Sequence, residues 1–180
     1  SNRRDFLKYS SLSVGSGLLV SLTPDIDRFL QAARKKGTVV NDAEIPIVDT
    51  HHHLWDLTKF TLPWLKNDGV GPLKRSFVMS DYLKATNGAN VVKTVYMEVN
   101  VDSSQHEKEA EHVIGLCKKK DNPMVAAVIG GSPQEKTFKS YITQFADSPY
   151  IKGVRTVLHD PDRKRGLCLE PQFVENMKLL

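Results

Sequence analysis

Three consecutive histidines, His51-His52-His53, close the short run Ile45-Pro46-Ile47-Val48-Asp49-Thr50. Alternate residues of a strand point to the same face. As a strand, the run places His51 and His53 on one face and His52 on the other. Same-side positions two apart are separated by about 6.6 Å, at a rise of about 3.3 Å per residue. Imidazoles rooted at that spacing can converge on one metal, which takes histidine nitrogen at about 2.0–2.1 Å. Under strict alternation Asp49 shares the face of His51 and His53, where it can take an outer-shell position or orient a ligand histidine. A solvated histidine-rich loop is the competing reading, and the apolar Ile47-Val48 pair in front argues against it.

The elements that would carry this pair repeat along the chain. Val91 to Val99 is a second apolar run, Met124 to Ile129 a third and Tyr150 to Leu158 a fourth. Each is short enough for a buried parallel strand. The strands are expected to end near His51, Glu98, Gly130 and Leu158. Helix-like segments lie between them. Ser80 to Ala85 follows a Ser cap signal. Ser104 to Lys120 places Ala110, Val113, Ile114 and Cys117 at helical spacing, with Glu107, Glu109 and Glu111 early and Lys118 to Lys120 late, an order that complements the helix dipole. Ser132-Pro133 opens a segment running through Phe145, and another begins at Gln172. Alternating strands and helices specify a parallel α/β fold. The turn after the first strand is His-rich and lacks the glycines that a doubly wound nucleotide fold places there. The fold class is therefore a partial TIM (β/α)8 barrel, about its first four βα units, since a complete barrel takes about 250 residues. In a barrel, residues at the C-terminal strand ends form the active site.

The chain has 180 residues and a net charge of +4. Residues 1–36 carry seven Lys+Arg against three Asp+Glu, and residues 37–180 carry 18 of each. The body is neutral, so the basic balance gives no stripe for nucleic acid. Two cysteines, Cys117 and Cys168, cannot make a disulfide framework and read as buried or idle thiols. Asn2-Arg3-Arg4-Asp5-Phe6-Leu7-Lys8 followed by a Ser- and Gly-rich apolar stretch to Leu22 is export-signal architecture. It resembles a twin-arginine signal. That resemblance implies export by the twin-arginine machinery to the periplasm or another extracytoplasmic space. The apolar stretch is too short for a membrane span. Residues 1–36 are thus read as signal and linker, and residues 37–180 as the N-terminal half of a barrel.

From Ile47 to Asp56, and again at Phe60 and Leu62-Pro63-Trp64-Leu65, the sequence resembles the amidohydrolase-related family 2. The match continues through Ser80-Asp81-Tyr82, Val95-Tyr96-Met97-Glu98, Glu107 to Leu116 and Ile151-Lys152-Gly153-Val154-Arg155. The family consists of TIM-barrel metal-dependent hydrolases, with a branch of sugar lactonases such as fuconolactonase. The resemblance implies His51 and His53 as the first two metal ligands. The metal would be divalent, with zinc foremost, although some lactonases of the branch act without one. Glu98 would face the barrel mouth near the metal, and Glu98 and Arg155 would be the catalytic residues of this half. Arg155 would point a guanidinium into the pocket, suited to a carboxylate or polarised carbonyl, with an ion pair to a loop acid as its alternative. Trp55 would line the substrate site, as would His159, for which a surface-loop histidine before Asp160-Pro161-Asp162 is the alternative reading. Trp55, Phe60 and Trp64 also read as packing over the barrel end. His106 and His112, on the predicted helix, read as solvated.

In this family the remaining ligands and acid–base groups come from strands five, six and eight, which this sequence does not contain. The chain is therefore read as part of a longer protein acting on a small-molecule substrate by opening a lactone or related ester. The rival functions are decarboxylation on the same scaffold and non-catalytic binding of a sugar-derived ligand by an exported barrel. The sequence leaves the oligomeric state open.

Overall fold

The computed structural model describes residues 45–67, 69–160 and 163–180. The export signal and linker assigned to residues 1–36 lie outside the described residues. Among the described residues no helix is long and apolar enough to cross a membrane.

Four strands form one sheet in the order β1-β2-β3-β4: β1 Ile47–His52, β2 Val91–Met97, β3 Met124–Gly130 and β4 Ile151–Arg155. Every neighbouring pair is parallel, as crossover connections require. The helices are α1 Met79–Ala85, α2 His106–Lys118, α3 Phe138–Thr143 and α4 Pro171–Met177. The four strand ends fall within a few residues of the positions read from the sequence. Ile47 pairs with Val91, Ala127 with Ile151, and Gly130 with Arg155. This register brings the C-terminal strand ends to one rim.

Helix boundaries depart from the sequence reading for local reasons. Ser80 does not cap α1. The helix starts after Val78, whose N–H donates to Asp81 Oδ2 at 2.9 Å, while Asp81 N–H donates to the Val78 carbonyl at 2.9 Å. Ser104 does not begin α2. Asp102 Oδ1 accepts from Ser104 N and Oγ, and a 3-10 turn over Ser103–Gln105 leads into the helix. Pro133 opens a turn, and α3 starts only at Phe138.

The core lies between α2 and the face of the sheet that carries Tyr96. Ala110, Val113 and Cys117 of α2 are buried together with Tyr96, Ala127 and Ile129. Burial pushes the Cys117 thiol up to about 11, as expected of an idle thiol, and Cys168 is free and exposed.

One residue on the apolar stripe is charged. Glu109 is buried, and it does not act as a solvated partner of the helix dipole, as its neighbours Glu107 and Glu111 suggested. Its Oε1 accepts the Tyr96 hydroxyl at 2.8 Å and the Val99 N–H at 3.3 Å, and its Oε2 accepts the Gly130 N–H at 3.3 Å. One carboxylate thus stitches α2 to the ends of β2 and β3. Gly130 is required for this approach, since a Cβ there would lie 3.0 Å from Glu109 Oε2.

Burial, only partly offset by these donors, pushes the Glu109 carboxyl from 4.5 up to about 6. A carboxyl raised on folding contributes stability that is complete below its unfolded value and is lost as pH rises through its folded value. We predict that unfolding free energy falls by about 2 kcal/mol between pH 4.5 and 7 through this group. Urea titrations across that range should show a flatter profile for Glu109→Gln than for the unsubstituted protein. Parallel profiles would assign the pH dependence elsewhere.

Candidate metal and substrate site

The end of β1 alternates as its histidines require: His51 and His53 are exposed and His52 is buried. The rings of His51 and His53 meet edge to face, with centroids 5.0 Å apart and planes at 76°. Their Nε2 atoms are 3.2 Å apart. Two nitrogens bound to one tetrahedral zinc at about 2.0–2.1 Å are separated by roughly 3.3–3.4 Å, so the pair has the spacing of a shared ligand set.

The other ring nitrogen of His53 reinforces this fit. Nδ1 lies 3.0 Å from the Met97 carbonyl oxygen and 3.1 Å from that of Glu98. Carbonyls only accept, so Nδ1 carries the proton. In the neutral ring, Nε2 is then the lone pair that a metal takes. Among the described residues no group of three or more His, Cys, Asp or Glu converges on a metal position. The described residues bring two histidines together here, where a catalytic zinc takes three ligands from protein.

His52 works on the opposite face. Its Nε2 contacts Thr94 Oγ1 at 2.9 Å, and its ring lies 4.6 Å from that of Tyr82. Burial lowers its pKa, against an opposing pull from Asp49, so it is held neutral. Asp49 reaches neither ligand ring. Its Oδ1 accepts the backbone N–H of His51 at 3.1 Å and its Oδ2 accepts the Tyr82 hydroxyl at 2.8 Å. A register irregularity between Asp49 and His52 interrupts strict alternation here, and Asp49 meets the same Tyr82 as His52. Burial alone would raise the Asp49 carboxyl, but these two donors outweigh it and hold it below its ordinary value. Asp49 therefore fixes the main chain of His51, where the sequence suggested support of a ring. Tyr82, which the sequence reading did not single out, is pushed up by burial and by Asp49.

Glu98 and Arg155 meet across β3. Arg155 Nη1 lies 2.6 Å from Glu98 Oε1, and Glu98 Oε2 accepts the Asn100 N–H at 2.6 Å. Arg155 makes the ion pair of the alternative reading, with Glu98, the first residue after β2, as partner, and it also borders the cleft described next.

A cleft of about 620 Å³ opens beside this pair and brings together His53, Trp55, Glu98, Arg155 and His159. Trp55, Trp64, Leu73 and Val157 form an apolar side, while Asn67, Asn100 and Arg155 add polar groups. Trp55 and Trp64 pack edge to face at 5.7 Å. Their indole N–H groups donate to the carbonyls of Arg75 and Val99. These tryptophans pack on each other and line the cleft. Phe60 is buried away from the cleft against His112, 5.5 Å between rings. His106 and His112 are half-buried where the sequence suggested solvation, and burial lowers the pKa of each. Asn100 was also missed. Its signal is a left-handed backbone, φ 52°, which asparagine tolerates better than most residues.

No protein-family model matches the chain. An uncharacterized protein of Sinorhizobium fredii is 32% identical over 89 residues, 45% of this chain and 30% of that protein. An amidohydrolase from Burkholderia multivorans, solved with bound zinc, superposes with a TM-score of 0.58 at 16% identity, covering 76% of this chain and 45% of that one. A second crystal form with bound HEPES gives 0.59 at 15% identity. The chain has the amidohydrolase fold. A probable 2-pyrone-4,6-dicarboxylic acid hydrolase from Acinetobacter baumannii, with citric acid bound, shares the fold at a TM-score of 0.50 and 11% identity, covering 73% of this chain and 44% of that one. The chain spans less than half the length of these amidohydrolases, and its four parallel strands are a partial barrel.

The three histidines should not be equivalent. His51→Ala and His53→Ala are each expected to lose bound zinc in equilibrium dialysis with elemental analysis. His52→Ala is expected to retain zinc and lose stability, because its buried contact to Thr94 goes. Asp49→Ala should weaken zinc by about 10–100-fold. Equal zinc in all four variants would refute the ligand pair.

Proposed function

We propose that the chain is the N-terminal half of a metal-dependent hydrolase of the amidohydrolase superfamily. Its substrate in this proposal is a lactone or related cyclic ester derived from a sugar or a carboxylate. One observation carries the reading: the Nε2 atoms of His51 and His53 converge to 3.2 Å, with the His53 tautomer already set for ligation and His53 itself lining the cleft. Zinc bound in the Burkholderia protein and the probable hydrolase from Acinetobacter support it. Exposed apolar residues on the strands, Ile47, Val48, Val92 and Val125, fit a sheet that further barrel strands would cover.

His51 and His53 would hold the metal, which when bound would supply Lewis acidity to a carbonyl and an activated water. Arg155 borders the cleft and would orient an anionic or carbonyl oxygen. Trp55 and Trp64 would shield the ring of the substrate from water, and His159 would line the mouth. Glu98 binds Arg155 and the Asn100 N–H through its two oxygens, which suits it to holding groups in place. The proton-moving group would come from a later strand.

The test belongs on the protein with all its barrel strands, against a panel of sugar lactones and carboxylated cyclic esters. Hydrolysis followed by pH-stat should fall more than about 100-fold in His51→Ala or His53→Ala. Decarboxylation without ester opening would favour the second chemistry of this scaffold, and ligand binding without turnover would favour an exported binding barrel. Export is part of the same proposal. Arg3→Lys with Arg4→Lys should block transport of a folded fluorescent reporter, and unchanged transport would remove it.

A further inference from the structure

Three groups meet at one backbone atom. The Glu98 carbonyl oxygen lies 3.1 Å from His53 Nδ1 and 3.2 Å from Arg155 Nη1. The same Nη1 holds Glu98 Oε1 at 2.6 Å, and Glu98 Oε2 accepts the Asn100 N–H at 2.6 Å. The Glu98 residue is thus gripped through all three of its oxygens. A carbonyl oxygen has two lone pairs, so the guanidinium and the imidazole can share it without displacing one another. The carboxylate is 3% exposed and the arginine 36%, so the ion pair is anchored at its buried end.

We infer that Glu98 and Arg155 are positioning residues for His53. The Glu98 carboxylate fixes the guanidinium, the guanidinium fixes the Glu98 carbonyl, and that carbonyl, with that of Met97, fixes the ring rotation and tautomer of His53. The outcome is a His53 Nε2 lone pair that, without metal, accepts from His51 Nε2–H at 3.2 Å. Arg155, on β4 and three strands away from β1, therefore sets the geometry of the histidine pair. The link to ligation rests on the metal reading of His51 and His53, whereas the tautomer does not.

The experiment uses protein labelled with 15N at histidine, free of metal, at a pH where imidazole is neutral. Long-range 1H–15N correlation distinguishes the two tautomers of each ring. Unsubstituted protein should show His53 protonated at Nδ1. Glu98→Gln and Arg155→Met should convert it to a mixture of tautomers, leave the His52 signals in place, and weaken Co2+ affinity by about 10–100-fold. Arg155→Lys keeps a cation beside Glu98 and should restore part of both. If Glu98→Gln unfolds, Arg155→Met at the more exposed end of the pair decides alone. A folded Arg155→Met with His53 still wholly protonated at Nδ1 overturns the inference. Failure of the unsubstituted protein to bind Co2+ or zinc refutes the metal reading, and the tautomer measurement still decides the positioning role.

Discussion

Glu98 and Glu109 carry carboxyl groups into the rim of the sheet, where little of either side chain meets solvent. A buried ion without partners costs several kcal/mol, so the rim has to supply donors. For Glu98 they are the Arg155 guanidinium and the Asn100 N–H. For Glu109 they are the Tyr96 hydroxyl and the N–H groups of Val99 and Gly130. Two acids thereby fix the ends of β2, β3 and β4 and the start of α2 relative to one another. The positive φ of Asn100 and the absence of a side chain at Gly130 follow from the same demand, since each lets a backbone donor or a carboxylate come close.

The two acids are handled differently. Glu98 has a full cation as partner, whereas Glu109 has only dipoles, and for Glu109 burial prevails over its donors and lifts the carboxyl to about 6. A similar balance separates the histidines of β1. His52 is enclosed by Thr94, Tyr82 and Tyr96, and desolvation keeps it uncharged. His51 and His53 stay at the surface, available to a ligand. Tyr82 holds Asp49 and packs on His52, so α1 braces β1 directly behind the exposed pair.

Much of this was legible in the sequence because it is local. The strands were read from runs of β-branched residues, and the division of labour among His51, His52 and His53 follows from a period of two. The parts that escaped are those set by distant partners. Nothing within the acidic stretch Glu107 to Glu111 shows that Glu109 is the buried member; the stripe through Ala110, Val113 and Cys117 admits it, but only Tyr96 and Gly130 make it tolerable. The Glu98–Arg155 pair spans 57 positions and needs β3 between its partners. His112 is half-buried because Phe60 of the β1–α1 connection folds over it. Asp49 was misplaced because a register irregularity broke the alternation on which its reading depended. Ser80 and Ser104 carry the composition of helix caps, but Asp81 and Asp102 provide the contacts.

The site is also a statement about assembly. The His-x-His pattern belongs to β1, but β1 alone cannot set its tautomer. His53 Nδ1 finds its acceptors on Met97 and at the residue that follows β2, positions brought into reach by the parallel pairing of His52 with Tyr96. A slip of one residue would turn the neighbouring strand's side chains to the opposite face and change which carbonyls His53 meets. Arg155 then reaches Glu98 only once β4 is in register with β3 at Gly130. Strand pairing therefore places the acceptors of His53 at the end of β2 and the cation that contacts one of them on β4. The register of four parallel strands thus sets the orientation of His53, with an apolar cleft wall in place beside it.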